Sequence, residues 1–215
     1  MTALAALRAR FTDVVEDEET LRAATGEAHQ RAVDKVVDVI DDHARRFIAA
    51  APFVFIGSIG PDGTLDVSPK GDPAGFVRVL DERTLALPDR PGNRRYDTWR
   101  NLFANPSVGL IFVVPGVDWT LRVSGKALLV RDSALRDALA ERGRRPEQVL
   151  VVAVERVLAH CPKCMIRSGL WKPAAWPDAS DVPTLAETLI AHARITEPVE
   201  SVAASLEEGN RERLY

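Results

Sequence analysis

The first fifty residues are spaced for helix, whereas from Phe53 onward apolar positions come in short runs suited to strands. Val33, Val36, Val37, Ile40, Ala44, Phe47 and Ile48 recur at a 3.6-residue period. Asp34, Asp38, Asp41, Asp42, Arg45 and Arg46 mostly face the other way. This predicts one amphipathic helix, closed by Pro52. The spacing upstream is weaker (Leu4, Leu7, Phe11), as in an arm that packs on a partner subunit. Residues 53–59 and 64–69 flank Gly60-Pro61-Asp62-Gly63 and read as a hairpin. Residues 75–80 and 84–88 make a second hairpin, and 107–114 and 119–130 a third. A helix over 133–142 leads to a last long strand, 149–160. Seven strands joined mostly by hairpins predict an α+β, mainly β fold built on an antiparallel barrel-like sheet. The expected organisation is a helical arm (1–50), a barrel (51–172) and a C-terminal loop and helix (173–215). Within the last part, 173–183 reads as loop, 184–194 as helix and the rest as a polar tail. The strand over 119–130 carries more apolar residues than a small barrel interior needs, which marks an interface.

Residues 88–112 hold the most informative pattern: strand end, Gly92 turn, two arginines, a short amphipathic helix, an Asn-Pro stop and a buried strand. Gly92 is free to take positive φ and Asn93 to cap a helix. Arg94 and Arg95 then fall in its first turn, where the dipole favours anions over cations. A bound phosphate resolves that conflict; the other reading is two solvated arginines on a surface turn. Lys70, in S-P-K-G at the end of the second strand, is a second point charge that a barrel brings toward the same turn.

Composition removes several classes of function. A net charge of −3 gives no basic field for nucleic acid. No apolar run reaches membrane-spanning length, and the N-terminus lacks a secretory pattern, so a cytoplasmic location is expected. There is no G-x-G-x-x-G, P-loop or G-x-S-x-G sequence. The four histidines are scattered. Cys161 and Cys164, with His160, supply at most three of the ligands zinc needs, so no metal site is expected. A site that holds an anion without acid–base machinery suits an enzyme whose cofactor carries the chemistry.

A series of motifs makes this specific. S-P-K-G-D, G-F-V-x-V-L-D, L-x-L-P-D-R-x-G-N-x-R-x-D-T-x-x-N-L, N-P-x-V-G-L-x-F and L-R-V-x-G-x-A follow one another in order. This resembles the pyridoxamine 5′-phosphate oxidase-like flavoproteins over about residues 33–173, and H-C-x-K-x-x-x-R-S-x-L-W resembles one bacterial branch of them. The resemblance implies a split β-barrel homodimer with FMN in a groove at the dimer interface. It implies that Val67, Ser68 and Pro69 line the flavin ring edge, and that Lys70 reaches the ring or phosphate. Pro88 and Asp89 would lie against the flavin and ribityl chain, and Asn93, Arg94 and Arg95 at the phosphate. Thr120 would come from the other subunit, and Arg167 and Trp171 would close over the flavin. The Arg-x-His pair that grips pyridoxamine 5′-phosphate in the true oxidases is missing, so the resemblance favours FMN over that substrate. What it implies is an FMN-dependent oxidoreductase acting on a small-molecule redox substrate. A flavin-binding or electron-transfer protein without turnover, or a protein for the deazaflavin F420 or haem, is the alternative.

Overall fold

The computed structural model describes residues 2–215. The chain divides into two compact units, residues 1–36 and 37–215. The first holds three short helices, α1 (Ala3–Arg8), α2 (Glu18–Thr25) and α3 (Gln30–Asp34), with no buried residue. Each begins at a side-chain cap, from Thr2, Asp17 and His29 respectively. The single amphipathic helix expected across residues 33–48 is broken. A two-residue strand, β1 (Val36–Val37), interrupts it, and the helix that follows, α4 (Asp42–Ala50), starts afresh. The reason is local: Asp41 takes extended backbone and its carboxylate accepts from Ala44 N at 2.8 Å, which caps a new helix. Ile40 N instead bonds Glu82 O. Ile40, Ala44, Phe47 and Ile48 are buried as the period required, but Val33 and Val37 stay exposed. The unit boundary thus falls before α4, which belongs with the barrel.

The three hairpins form where the turn residues place them. They are β2 (Phe53–Ile59) with β3 (Leu65–Gly71), β4 (Arg78–Asp81) with β5 (Thr84–Pro88), and β6 (Ser107–Val113) with β7 (Thr120–Val130). Helix α5 (Asp97–Ala104) joins β5 to β6, and α6 (Ser133–Ala138) precedes the last long strand, β8 (Val149–His160). Seven strands run in the order β3-β2-β6-β7-β8-β5-β4, and every pair is antiparallel. β2 and β5 stand four places apart, about 19 Å in a flat sheet. Val54 and Ile56 of β2 nonetheless share one buried cluster with Leu85 and Leu87 of β5. The sheet is therefore rolled about a common core as a split β-barrel, with α4 packed against β4 and β7.

Period-two alternation sets the faces. In β7, Leu121, Val123 and Ala127 point into the core, while Arg122, Lys126 and Leu128 point out. The apolar richness of this strand thus fills the barrel, and Leu128 alone among its large apolar side chains is exposed. Between β7 and β8 the register shifts at Ser124/Gly125, where a Cβ on Gly125 would lie 2.0 Å from Ala153 O. Only glycine fits that close approach.

Beyond β8 come α7 (Lys163–Ser168), a 3₁₀ turn (Pro173–Ala175), α8 (Leu185–Ala193) and α9 (Val199–Glu212). The helix expected at 184–194 is present and opens with a capping box, Thr184 to Glu187. The polar tail folds as α9, because its Ala, Glu and Leu residues favour helix and α8 offers a packing face. Among the described residues no helix is long and apolar enough to cross a membrane.

Candidate functional site

The alternation that exposes Leu65, Val67 and Pro69 on the edge strand β3 turns Asp66, Ser68 and Lys70 to its other side. Helix α5 lies against that side. Thr98 Oγ1 donates to Asp66 Oδ2 at 3.1 Å, and Asn101 Nδ2 donates to the buried Ser58 Oγ on β2 at 3.0 Å. Trp99 is buried beneath them, and Lys70 Nζ sits 4.9 Å from its ring centroid, a cation–π contact that fixes the ammonium. These ties bring the segment before α5 beside the end of β3. The result is a cleft of about 250 Å³ walled by β3 and the α5 entry turn.

The entry turn differs from its expected form. Helix α5 begins at Asp97, not at residue 94, and Gly92 does not take positive φ. Arg94 (φ 59°) and Tyr96 (φ 58°) are the left-handed residues instead. Asn93 does not cap the helix: its Oδ1 accepts from Arg95 N at 3.1 Å, closing an Asx turn. Asp97, an acidic residue, occupies the first helical turn as the dipole favours. Arg95 Nε donates to Asp97 Oδ2 at 2.7 Å. That hydrogen bond holds the Asp97 carboxyl below the usual carboxylate range and raises the arginine. The two arginines thus precede the helix, and Asp97 offsets the charge of Arg95 at its positive end. They are also no longer equivalent. Arg95 has a partner, and Arg94 has no hydrogen bond or ion pair to its side chain among the described residues.

Val67, Ser68, Pro69, Lys70, Asp89, Asn93, Arg94 and Arg95 all line this cleft. Asp89 is clamped by Gln148, whose backbone oxygen accepts from Asp89 N and whose Nε2 donates to Asp89 Oδ2 at 2.9 Å. Four other expected site residues lie elsewhere in the chain. Pro88 is buried at the end of β5 opposite Val149. Thr120, at 5% exposure, pairs with His160 at the start of β7. Arg167 is exposed on α7, and Trp171 Nε1 donates to Val117 O at 2.9 Å. Cys161 and Cys164 are free and exposed.

The cleft also contains Asp66, Arg90, Tyr96, Thr98 and Trp99, which the sequence reading passed over. Asp66 was reachable from strand period, since it shares a face with Ser68 and Lys70. Arg90 was not. Its Nε pairs with Asp72 at 2.5 Å and its Nη2 with Leu139 O at 3.0 Å, contacts made across the fold.

A split β-barrel with a polar cleft, open to the unpaired Arg94, between its edge strand and a strained helix-entry turn defines the class of this protein. Residues 40–161, more than half the chain, match the pyridoxamine 5′-phosphate oxidase family model. The chain belongs to that family. Among curated proteins, none matches the sequence. Solved structures to which the chain shows similarity include HupZ of Group A Streptococcus, 19% identical over 56% of this chain and 93% of that one, with a TM-score of 0.46. General stress protein 26 of Bacillus anthracis is 13% identical over 54% and 88%, with a TM-score of 0.42. An FMN-binding protein of Syntrophomonas wolfei is 12% identical over 74% and 97%, with a TM-score of 0.43.

Proposed function

We propose that this chain is an FMN-dependent oxidoreductase that works as a homodimer on a small-molecule redox substrate. The observation that carries this reading is the unpartnered Arg94, held in left-handed backbone on the rim of a cleft whose other wall is the edge strand β3. A cation without a partner beside Lys70 and a turn of backbone N–H groups is a donor set for a phosphate monoester. The open edge of β3 offers backbone groups to the rim of a flat heteroaromatic ring. In this reading Arg94, Lys70 and the turn hold the phosphate, and Val67–Pro69 orient the ring. Asp66 keeps its bond to Thr98 and so keeps α5 in place. FMN, when bound, supplies the hydride and single-electron chemistry; the chain binds, orients and excludes water.

A second copy of the chain fits the outer sheet face. Phe55, Val67, Ile111 and Leu158 border a groove of about 310 Å³ whose floor is opened by Gly57 and Gly109. Val67 belongs to both this groove and the cleft, so covering one brings the partner to the other. Thr120, Arg167 and Trp171 would act from that partner.

The test is a comparison of FMN with riboflavin on the purified protein, with sedimentation run in parallel. Preference for FMN by at least about tenfold and a dimeric species are expected. Equal affinity for the two flavins would remove the phosphate role of the turn, and a monomer fully loaded with FMN would remove the dimer.

A further inference from the structure

Cys161 and Cys164 are too few for zinc, but two thiols are enough for a disulfide, and the fold places them for one. β8 ends at His160, held in register opposite Thr120, and Cys161 follows directly. Pro162 has right-handed helical backbone (φ −78°, ψ −8°), and Lys163 opens α7, where Ile166 N donates to Pro162 O at 3.0 Å. Two such residues in succession are the centre of a type I turn, with proline at the position it favours. A turn of this kind keeps its first and fourth Cα atoms, here those of Cys161 and Cys164, within about 7 Å, and a disulfide spans about 4.4–6.8 Å. Sheet on one side and helix on the other hold the pair in place before any bond forms.

Both thiols are free and exposed. A bond between them closes a very short loop, which restricts the unfolded chain little and so adds little stability. Exposed bonds of that kind are the ones that form and break in use. Charge gives the pair a preference. No acidic residue lies between Glu155 and Asp178, whereas Lys163, Arg167 and Lys172 are all exposed in that stretch. Among the described residues, the side-chain hydrogen-bond donors over 156–172 are Ser168 and Trp171, so these three cations are uncommitted. Lys163 sits between the two cysteines, and Arg167 stands one helical turn beyond Cys164. Free cations around a thiol pair suit a partner that carries carboxylates.

We infer that Cys161 and Cys164 are a redox pair that reduces small disulfides bearing carboxylates. The inference stands apart from the flavin reading. One cysteine, as thiolate, attacks a sulfur of the external disulfide; that S–S bond breaks, a mixed disulfide forms and one thiolate leaves. The other cysteine, as thiolate, attacks the protein sulfur of the mixed disulfide, closes the Cys161–Cys164 bond and releases the second thiolate. The two cysteines give up two electrons and two protons, and the two halves of the external disulfide take them as two thiols. An external dithiol restores the pair by the same exchange run in reverse.

The experiment takes the full chain, reduced and freed of reductant, and adds glutathione disulfide as an anionic probe or cystamine as a cationic one. Mass spectrometry of the unreduced protein should show the loss of two hydrogens, with two glutathione thiols released per chain. Cys161→Ser and Cys164→Ser should each stop at the mixed disulfide and keep one glutathionyl group. Lys163→Glu should shift the ratio of the two exchange rates toward cystamine by about threefold or more at low ionic strength. A parent chain that keeps both thiols, carries two glutathionyl groups, or links only to other chains overturns the redox pair. A rate ratio unmoved by Lys163→Glu overturns the preference for carboxylates.

Discussion

The hydroxyl of Tyr215 donates to Asp72 Oδ1 at 2.8 Å, across 143 positions of sequence. The Asp72 side chain is 1% exposed and turns its other oxygen to Arg90, whose guanidinium carbon lies 5.9 Å from the Tyr215 ring centroid. One carboxylate thus ties the last residue of the chain to the wall of the candidate cofactor cleft. The hydrogen bond to Asp72 raises the Tyr215 phenol above its usual value. The folded state therefore holds this proton more tightly than the unfolded chain. Its stabilisation is complete below the ordinary phenol pKa and is lost as pH rises through the raised folded value. The chain has two tyrosines, so in Tyr96→Phe only Tyr215 titrates. Ultraviolet titration of that variant should run later in the folded than in the urea-unfolded protein, and coincident curves would remove the bond.

Arg94→Ala should weaken FMN binding by roughly 10- to 150-fold, the range of a charge-assisted hydrogen bond. Its melting temperature should hold or rise, because the side chain has no partner to lose and alanine is no worse than arginine at φ 59°. A Kd equal to that of the parent returns Arg94 to the solvent.

Gly125→Ala should destabilise the barrel by about 3 kcal/mol or more, since the new methyl meets the Ala153 carbonyl at the register shift. Urea unfolding reads this directly. A loss under about 0.5 kcal/mol, the surface range, would mean that β8 can shift to admit the methyl.

Asp41→Ala removes the cap that starts α4 and should cost about 1 kcal/mol. Asp41→Ser should recover most of it. If the serine variant is as weak as the alanine one, capping is not what Asp41 supplies.

The hairpins were legible because turn residues and period-two alternation are local signals, and both lie in the chain between Phe53 and His160. The break before α4 was not, since Ile40 bonds Glu82, a residue forty-two positions later, in place of a helical partner. At the site, eight of the expected residues meet in one cleft because the motif spacing carried them. The conformation of the turn was hidden. Nothing in N-R-R-Y-D announces that two non-glycine residues will take left-handed backbone, which only the ties from α5 to β2 and β3 enforce. Arg90, Asp72 and Tyr215 escaped notice for the same reason, being joined only by the fold.

β3 stands at one edge of the sheet, and its sequence there is Val67-Ser68-Pro69-Lys70. An edge with free backbone groups invites a foreign strand, and proline and lysine are the residues that deter one. Pro69 and Lys70 therefore deter strand-to-strand pairing along this edge, as distinct from docking on the sheet face, while they wall the cleft. A change made there to retune ligand preference also changes the protection of that edge, so ligand affinity and self-association have to be measured together.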